Sequence, residues 1–247
     1  MSFDPYHSRV LQVIGRCYDP SFTLANPTID LSDLGFQQTD LITGTDLAGN
    51  VTAQGVVALD KQRPGCPLVA LAGTKTPGQW LLDFLAVLAY PDHFCPGGWS
   101  EEGFTRFFLT LALGSGMKLT DAFSGVTGVT AGGHSLAGPL ATFLAGLISA
   151  DELVGFASPK PGNGTLGRWV RGRVGKITLY ANAPDLVVHV PATIEPFLDF
   201  EHVNALTALN STGIASGSVE CRHNWRTYLH LIDPAQALDP ACALPAA

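Results

Sequence analysis

Apolar residues recur along this chain in short runs, and the rhythm within the runs changes from one to the next. Val10, Leu11, Val13 and Ile14 form a helical stripe that stops near Asp19-Pro20. Gly49-Asn50 predicts a turn between two extended segments. Residues 54–59 (QGVVAL) and 67–72 (PLVALA) are apolar runs separated by a polar connection bearing Pro and Gly, and they predict neighbouring strands. Residues 80–89 have the length and composition of a helix, and 104–113 predict another. Residues 126–131 predict a strand running into Gly132-Gly133. After it, Leu140, Phe143, Leu144, Leu147 and Ile148 fall at the spacing of a buried helical stripe. Pro139 sits in the first turn of that helix, where its missing N–H costs little. Residues 153–157 and 176–181 predict two more strands, and Trp225, Tyr228, Leu229 and Leu231 a last helix. Strands alternating with helices imply an α/β fold with a mostly parallel sheet covered on both faces. No repeat or linker breaks the pattern, so residues 1–247 are expected to form a single domain.

Composition narrows the function classes. Charged residues make up 14% of the 247, against about 25% in an average globular protein. So little charge leaves room for exposed apolar surface, which suits an apolar ligand. The net charge of -7 and the lack of a Lys/Arg run argue against a nucleic-acid partner. No apolar stretch reaches the roughly 18 residues of a membrane span. The first residues lack the charged-then-apolar order of a signal peptide, and none is expected. The five cysteines show no C-x-x-C spacing, so no metal site is expected and buried, reduced thiols are the preferred reading.

The strongest local signal is Gly132-Gly133-His134-Ser135-Leu136-Ala137-Gly138, lying between a predicted strand and a predicted helix. A nucleophile elbow needs this context. Its serine sits on a tight turn, where side chains two residues before and after would strike neighbouring backbone. Gly133 meets the first demand, and Ala137 stands where glycine is usual. The ordinary alternative makes Ser135 a helix N-cap.

A serine nucleophile needs a base, and the base an orienting acid, in the chain order Ser, Asp or Glu, His. Asp185 lies just past the strand predicted at 176–181, where the active-site loops of open α/β sheets gather. Four histidines follow Ser135: His189, His202, His223 and His230. His223 is preferred, at the apparent start of the last helix, with His230 as the reserve two turns further along. An oxyanion hole would use the N–H of Leu136 and a donor from an earlier loop. Thr74, following Ala72-Gly73, fits that second place.

Taken together, these segments resemble the class 3 lipase family, which includes fungal triacylglycerol lipases and plant acyl hydrolases of the phospholipase type. The match runs from about Gln54 onward. It comprises the strand pair and loop QGVVALDKQRPGCPLVALAGTKTPGQWLLDF, the elbow GGHSLAGPLATFLA, VGFASPKPGN, ITLYANAPDLVVHVP and HNWRTYLHLID. Ala72 stands where the family usually has arginine. The resemblance implies an α/β-hydrolase fold with a short lid after Thr74, in which Trp80 would be the lid tryptophan. It implies Ser135, Asp185 and His223 as the triad, with Thr74 and Leu136 as oxyanion donors. It further implies hydrolysis of acyl-ester lipids without a cofactor, with transient contact to a lipid interface. A phospholipase or galactolipase, and a silent lipid-binding protein on the same fold, are the alternatives.

Overall fold

The computed structural model describes residues 3–45, 49–73, 89–91, 94–191 and 199–244. Asp4 opens the first helix, α1 (Pro5–Cys17), by accepting the N–H of Tyr6, and Pro5 occupies the first turn. Val10, Leu11, Val13, Ile14 and Cys17 of α1 are buried, so the sequence stripe is the face that packs on the sheet.

The strands are β1 (Phe36–Thr45), β2 (Val51–Asp60), β3 (Pro67–Leu71), β4 (Ala89–Pro91), β5 (Trp99–Glu101) and β6 (Ala112–Leu113). They continue with β7 (Thr130–His134), β8 (Glu152–Phe156), β9 (Gly162–Asn163), β10 (Lys176–Asn182), β11 (Phe200–Glu201) and β12 (Leu206–Leu209). The main sheet has the order β12-β10-β8-β7-β3-β2-β1-β6. Pairing is parallel from β12 through β3 and antiparallel from β3 to β6. Gly49, in the left-handed region at φ +87°, lies in the predicted turn between β1 and β2. The short strands β11, β9, β5 and β4 form a second sheet that the sequence pattern did not announce. Strands of two or three residues carry too little alternation to read.

Among the described residues the remaining α-helices are α2 (Glu102–Phe108), α3 (Leu119–Ala122), α4 (Ala137–Ile148), α5 (Gly164–Arg171), α6 (Val219–His223) and α7 (Trp225–Ile232). Alternation along the strands divides the core into two layers. Val57, Val69 and Leu71 face the side covered by α2 to α5, with Phe104, Leu140, Phe143 and Leu144. Val56, Ala58, Leu68 and Ala70 face the side covered by α1 and α7, with Val10, Ile14, Tyr228 and Leu229. The architecture is thus the expected α/β-hydrolase type: a mostly parallel sheet flanked by helices.

Three expectations need correction. The helix predicted at 104–113 stops at Phe108, and Ala112–Leu113 joins the sheet edge beside β1. Thr110 turns the chain: its hydroxyl bonds the Phe107 carbonyl at 2.7 Å and also accepts the Thr45 N–H at 2.9 Å. The strand predicted at 126–131 begins only at Thr130 and runs to His134, because Gly128 is in a left-handed turn at φ +74°. Finally, Cys221 and Cys242 form a disulfide, whereas Cys17, Cys66 and Cys95 remain thiols. The two partners lie 21 residues apart in sequence, and only folding brings them together.

Candidate active site

β7 ends at His134, and α4 starts at Ala137. Ser135 occupies the bend between them in the left-handed region at φ +62°, which a residue with a side chain enters at a cost. Backbone hydrogen bonds hold it there. Its N–H donates to the Phe156 carbonyl at 3.0 Å, and its carbonyl accepts the Gly138 N–H at 2.8 Å. The small neighbours are required sterically. A Cβ on Gly133 would collide with the Ala137 carbonyl oxygen, and one on Gly138 with the Ser158 side chain. Ala137 itself fits, fully buried.

Asp185 follows β10 and is fully buried. His223 is the last residue of α6, in the turn before the helix it was expected to begin. His223 Nε2 lies 2.7 Å from Ser135 Oγ, and its Nδ1 lies 2.8 Å from Asp185 Oδ2. A carboxylate oxygen only accepts, so Nδ1 carries the hydrogen and the Nε2 lone pair faces the serine hydroxyl. The fold therefore brings together three residues spread over 88 positions of sequence.

Further hydrogen bonds fix this line. Asp185 Oδ1 accepts the Val187 N–H at 3.0 Å, and Oδ2 also accepts the Tyr228 hydroxyl at 2.7 Å. Tyr228 in turn accepts the Asn182 N–H at 2.9 Å. Burial and the nearby Asp185 push the Tyr228 hydroxyl well above its ordinary pKa, so it stays a donor. Asn182 Nδ2 donates to the Arg222 carbonyl at 2.8 Å, next to His223. Behind the serine, His134 Nε2 lies 3.1 Å from the His223 carbonyl, and Nδ1 lies 2.7 Å from the Tyr18 hydroxyl. Burial, together with nearby His223, holds His134 well below the usual histidine range, so the ring is neutral. The carbonyl can only accept. Nε2 therefore carries the hydrogen, and Tyr18 donates to Nδ1. The Tyr18 oxygen also accepts the Gly73 N–H at 2.9 Å.

Leu136 lies buried at the start of α4, where the first N–H groups of a helix have no partner inside it. Thr74 and the predicted lid with Trp80 lie outside the described residues. Gly73, the residue before Thr74, packs directly on the elbow: a Cβ there would come within 3.0 Å of Ser135 Cβ and of the His134 carbonyl oxygen.

The other histidines stand apart. His230 Nδ1 bonds the Gln236 carbonyl at 2.7 Å, and His202 Nε2 bonds the Val188 carbonyl at 2.8 Å. His189 is exposed on a short turn after Asp185. The sequence did not single out Tyr18, His134 or Asn182 for the site. Tyr228 was read only as part of a helical stripe. A tyrosine in a buried stripe needs a partner for its hydroxyl, which was the available clue.

The sequence model of the family described as Lipase (class 3) matches residues 68–195, just over half of the 247-residue chain. The chain belongs to the class 3 lipase family. As a member it is a serine ester hydrolase of the lipase type. No curated protein matches this lipase in sequence. Solved structures do match its fold. The Rhizomucor miehei lipase in its propeptide complex shares 17% identity and a TM-score of 0.60, over 83% of this chain and 67% of that one. The Lip2 lipase from Yarrowia lipolytica shares 16% identity and a TM-score of 0.60, over 83% and 78%. A third, described as a triacylglycerol lipase whose catalytic centre is a serine protease triad, shares 18% identity and a TM-score of 0.59, over 84% and 78%.

Proposed function

We propose that this lipase hydrolyses acyl esters of glycerides through an acyl-enzyme on Ser135, within one hydrolase domain. The observation that carries the reading is the hydrogen-bonded line Ser135–His223–Asp185, set on a strand-to-helix bend. His223 Nε2 takes the Ser135 hydroxyl proton as Oγ attacks the ester carbonyl. Asp185 holds the imidazole in the tautomer this needs and stabilises its positive form. The Leu136 N–H and a donor from Thr74 hold the oxyanion. The position of Gly73 against Ser135 supports that second donor. His223 then gives its proton to the departing alcohol oxygen, and the C–O bond breaks. Water, activated by the same nitrogen, releases the fatty acid. Every proton transfer in these steps runs through a group of this chain.

Transient contact with a lipid surface belongs to the same proposal. Leu186, next to Asp185 in sequence, is 56% exposed, an apolar side chain that such a surface would cover. Among the described residues no helix is long and apolar enough to cross a membrane.

A serine-directed phosphonate tests the chemistry. One equivalent should bind covalently at Ser135 and abolish hydrolysis of p-nitrophenyl esters. Labelling elsewhere, or none, refutes the reading. A glyceride series run beside phospholipids and galactolipids tests the substrate class. Faster turnover of either polar class would move the assignment there.

A further inference from the structure

The last described stretch of chain folds back onto the segment that carries His223. Cys242 is bonded to Cys221, two residues before the histidine. Asn224, the residue after it, donates from Nδ2 to Asp239 Oδ2 at 3.2 Å. Asp239 uses its other oxygen to accept the Ala241 N–H at 3.0 Å, which shapes the turn Pro240–Cys242. The Ser216 N–H donates to the Cys242 carbonyl at 2.8 Å, and Ala215 pairs with Ala243 as an antiparallel bridge. Residues 239–243 thus form a strap. It grips the chain on both sides of His223, once covalently and once through a carboxylate.

The opposite flank of the histidine is held differently. His134 bonds its carbonyl, and Asn182 bonds that of Arg222, both from the sheet. A side chain at the end of a five-residue helical turn has little regular structure of its own to fix it. Cys221 and Cys242 are both buried, so the bond is packed into this contact.

We propose that the C-terminal strap is a positioning device for His223, with Cys221, Cys242, Asn224 and Asp239 as positioning residues. The proposal rests on the reading of His223 as the base. The strap touches no reacting atom and acts by keeping Nε2 in line with Ser135 Oγ while Nδ1 stays on Asp185. A displacement of about 1 Å in such a group can cost about a hundredfold in rate.

The test uses the full chain and a soluble p-nitrophenyl ester. Cys221→Ser with Cys242→Ser should lower kcat about tenfold or more with KM within about twofold, at a temperature where circular dichroism shows the variant folded. Asn224→Asp in the disulfide-bonded protein sets two carboxylates face to face and should lower kcat several-fold. Adding Asp239→Asn should restore kcat. Donor and acceptor are then exchanged across the pair. The carboxylate introduced at position 224 can still cap the Arg226 N–H, and the amide oxygen introduced at position 239 can still accept from Ala241. The exchange keeps the test alive if the cysteine variant fails to fold. Unchanged kcat in Asn224→Asp, or no recovery in the exchanged pair, overturns the proposal. So does a cysteine variant with lower thermal stability and wild-type kcat. His223→Ala separates the two levels. If it is inactive while strap variants keep full kcat, the base stands and the strap fails. If it is active, the reading of the base fails and the proposal falls with it.

Discussion

Tyr228 donates its hydroxyl hydrogen to Oδ2 of Asp185, the same oxygen that faces His223 Nδ1. The tyrosine lies five residues beyond the histidine on the following helix, so one stretch of chain delivers two donors to one carboxylate. Tyr228→Phe removes one of them and leaves the buried Asn182 N–H without its acceptor. The expected cost is about 1–3 kcal/mol in stability. A fall of about tenfold in kcat should accompany it, with KM little changed, as the carboxylate loosens. Urea denaturation and steady-state kinetics on one preparation check both. A variant with wild-type kcat would show that His223 and the Val187 N–H suffice to orient Asp185.

The left-handed backbone of Ser135 makes a second expectation. Ser135→Ala and Ser135→Gly should both lose hydrolysis by several orders of magnitude. They should differ in stability. Glycine enters φ +62° freely, whereas alanine keeps the strain of about 1–2 kcal/mol. The glycine variant should therefore melt higher than the alanine variant by a few degrees. Equal melting temperatures would mean that the bend carries no strain.

His223, at the end of α6, and His230, within α7, are expected to differ in role. His230 Nδ1 is engaged by the Gln236 carbonyl, away from Ser135. His230→Ala should keep kcat within about twofold and cost about 1 kcal/mol for the lost hydrogen bond. His223→Ala should be as damaging as Ser135→Ala, and the double variant no worse, because the two act as a unit. An active His223→Ala beside an inactive His230→Ala would reverse the roles.

Acid should weaken the anchor of α1. Glu152 lies 2.9 Å from His7 Nε2 and 2.9 Å from Lys176 Nζ. Burial alone would raise its pKa, but the hydrogen bonds and charges of His7 and Lys176 prevail and lower it to about 2. Unfolded, the carboxyl takes up its proton near 4.5, before the folded state does. The stabilisation is therefore complete above that value and lost as pH falls towards 2. Its size is on the order of 3 kcal/mol at most, reduced by solvent screening of the half-exposed Lys176. Glu152→Gln should flatten the stability curve across that window relative to wild type, while lowering stability at neutral pH. Parallel curves for the two proteins would remove Glu152 from the acid response.

Local chemistry made the centre of the site legible. Gly133 and Ser135 announce the elbow because a bend of that kind admits few residues, and the stripe from Leu140 to Ile148 marks the helix after it. Chain order limits the choices of acid and base, which is why Asp185 and His223, hydrogen-bonded to one another in the fold, could be singled out. Tyr18 could not. Its link to His134 spans 116 residues and depends on how α1 lies across the sheet, which no local pattern encodes. The Cys221–Cys242 bond was hidden in the same way. An odd cysteine count without regular spacing left reduced thiols as the simpler reading. The 104–113 segment misled because its apolar residues suit a helix as well as they suit a helix followed by an edge strand.

Gly133 and Ala137 differ in how far substitution can go. The atom that a Cβ at 133 would strike is the main-chain oxygen of residue 137, present whatever side chain that residue carries. Diversity at position 137 therefore cannot open position 133. In a randomised library selected for ester hydrolysis, 133 should return glycine alone, while 137 returns glycine, alanine and nothing larger than serine. Positions 133 and 137, two residues to either side of Ser135, then evolve under unequal constraint, and a search that insists on glycine at both passes over this chain itself.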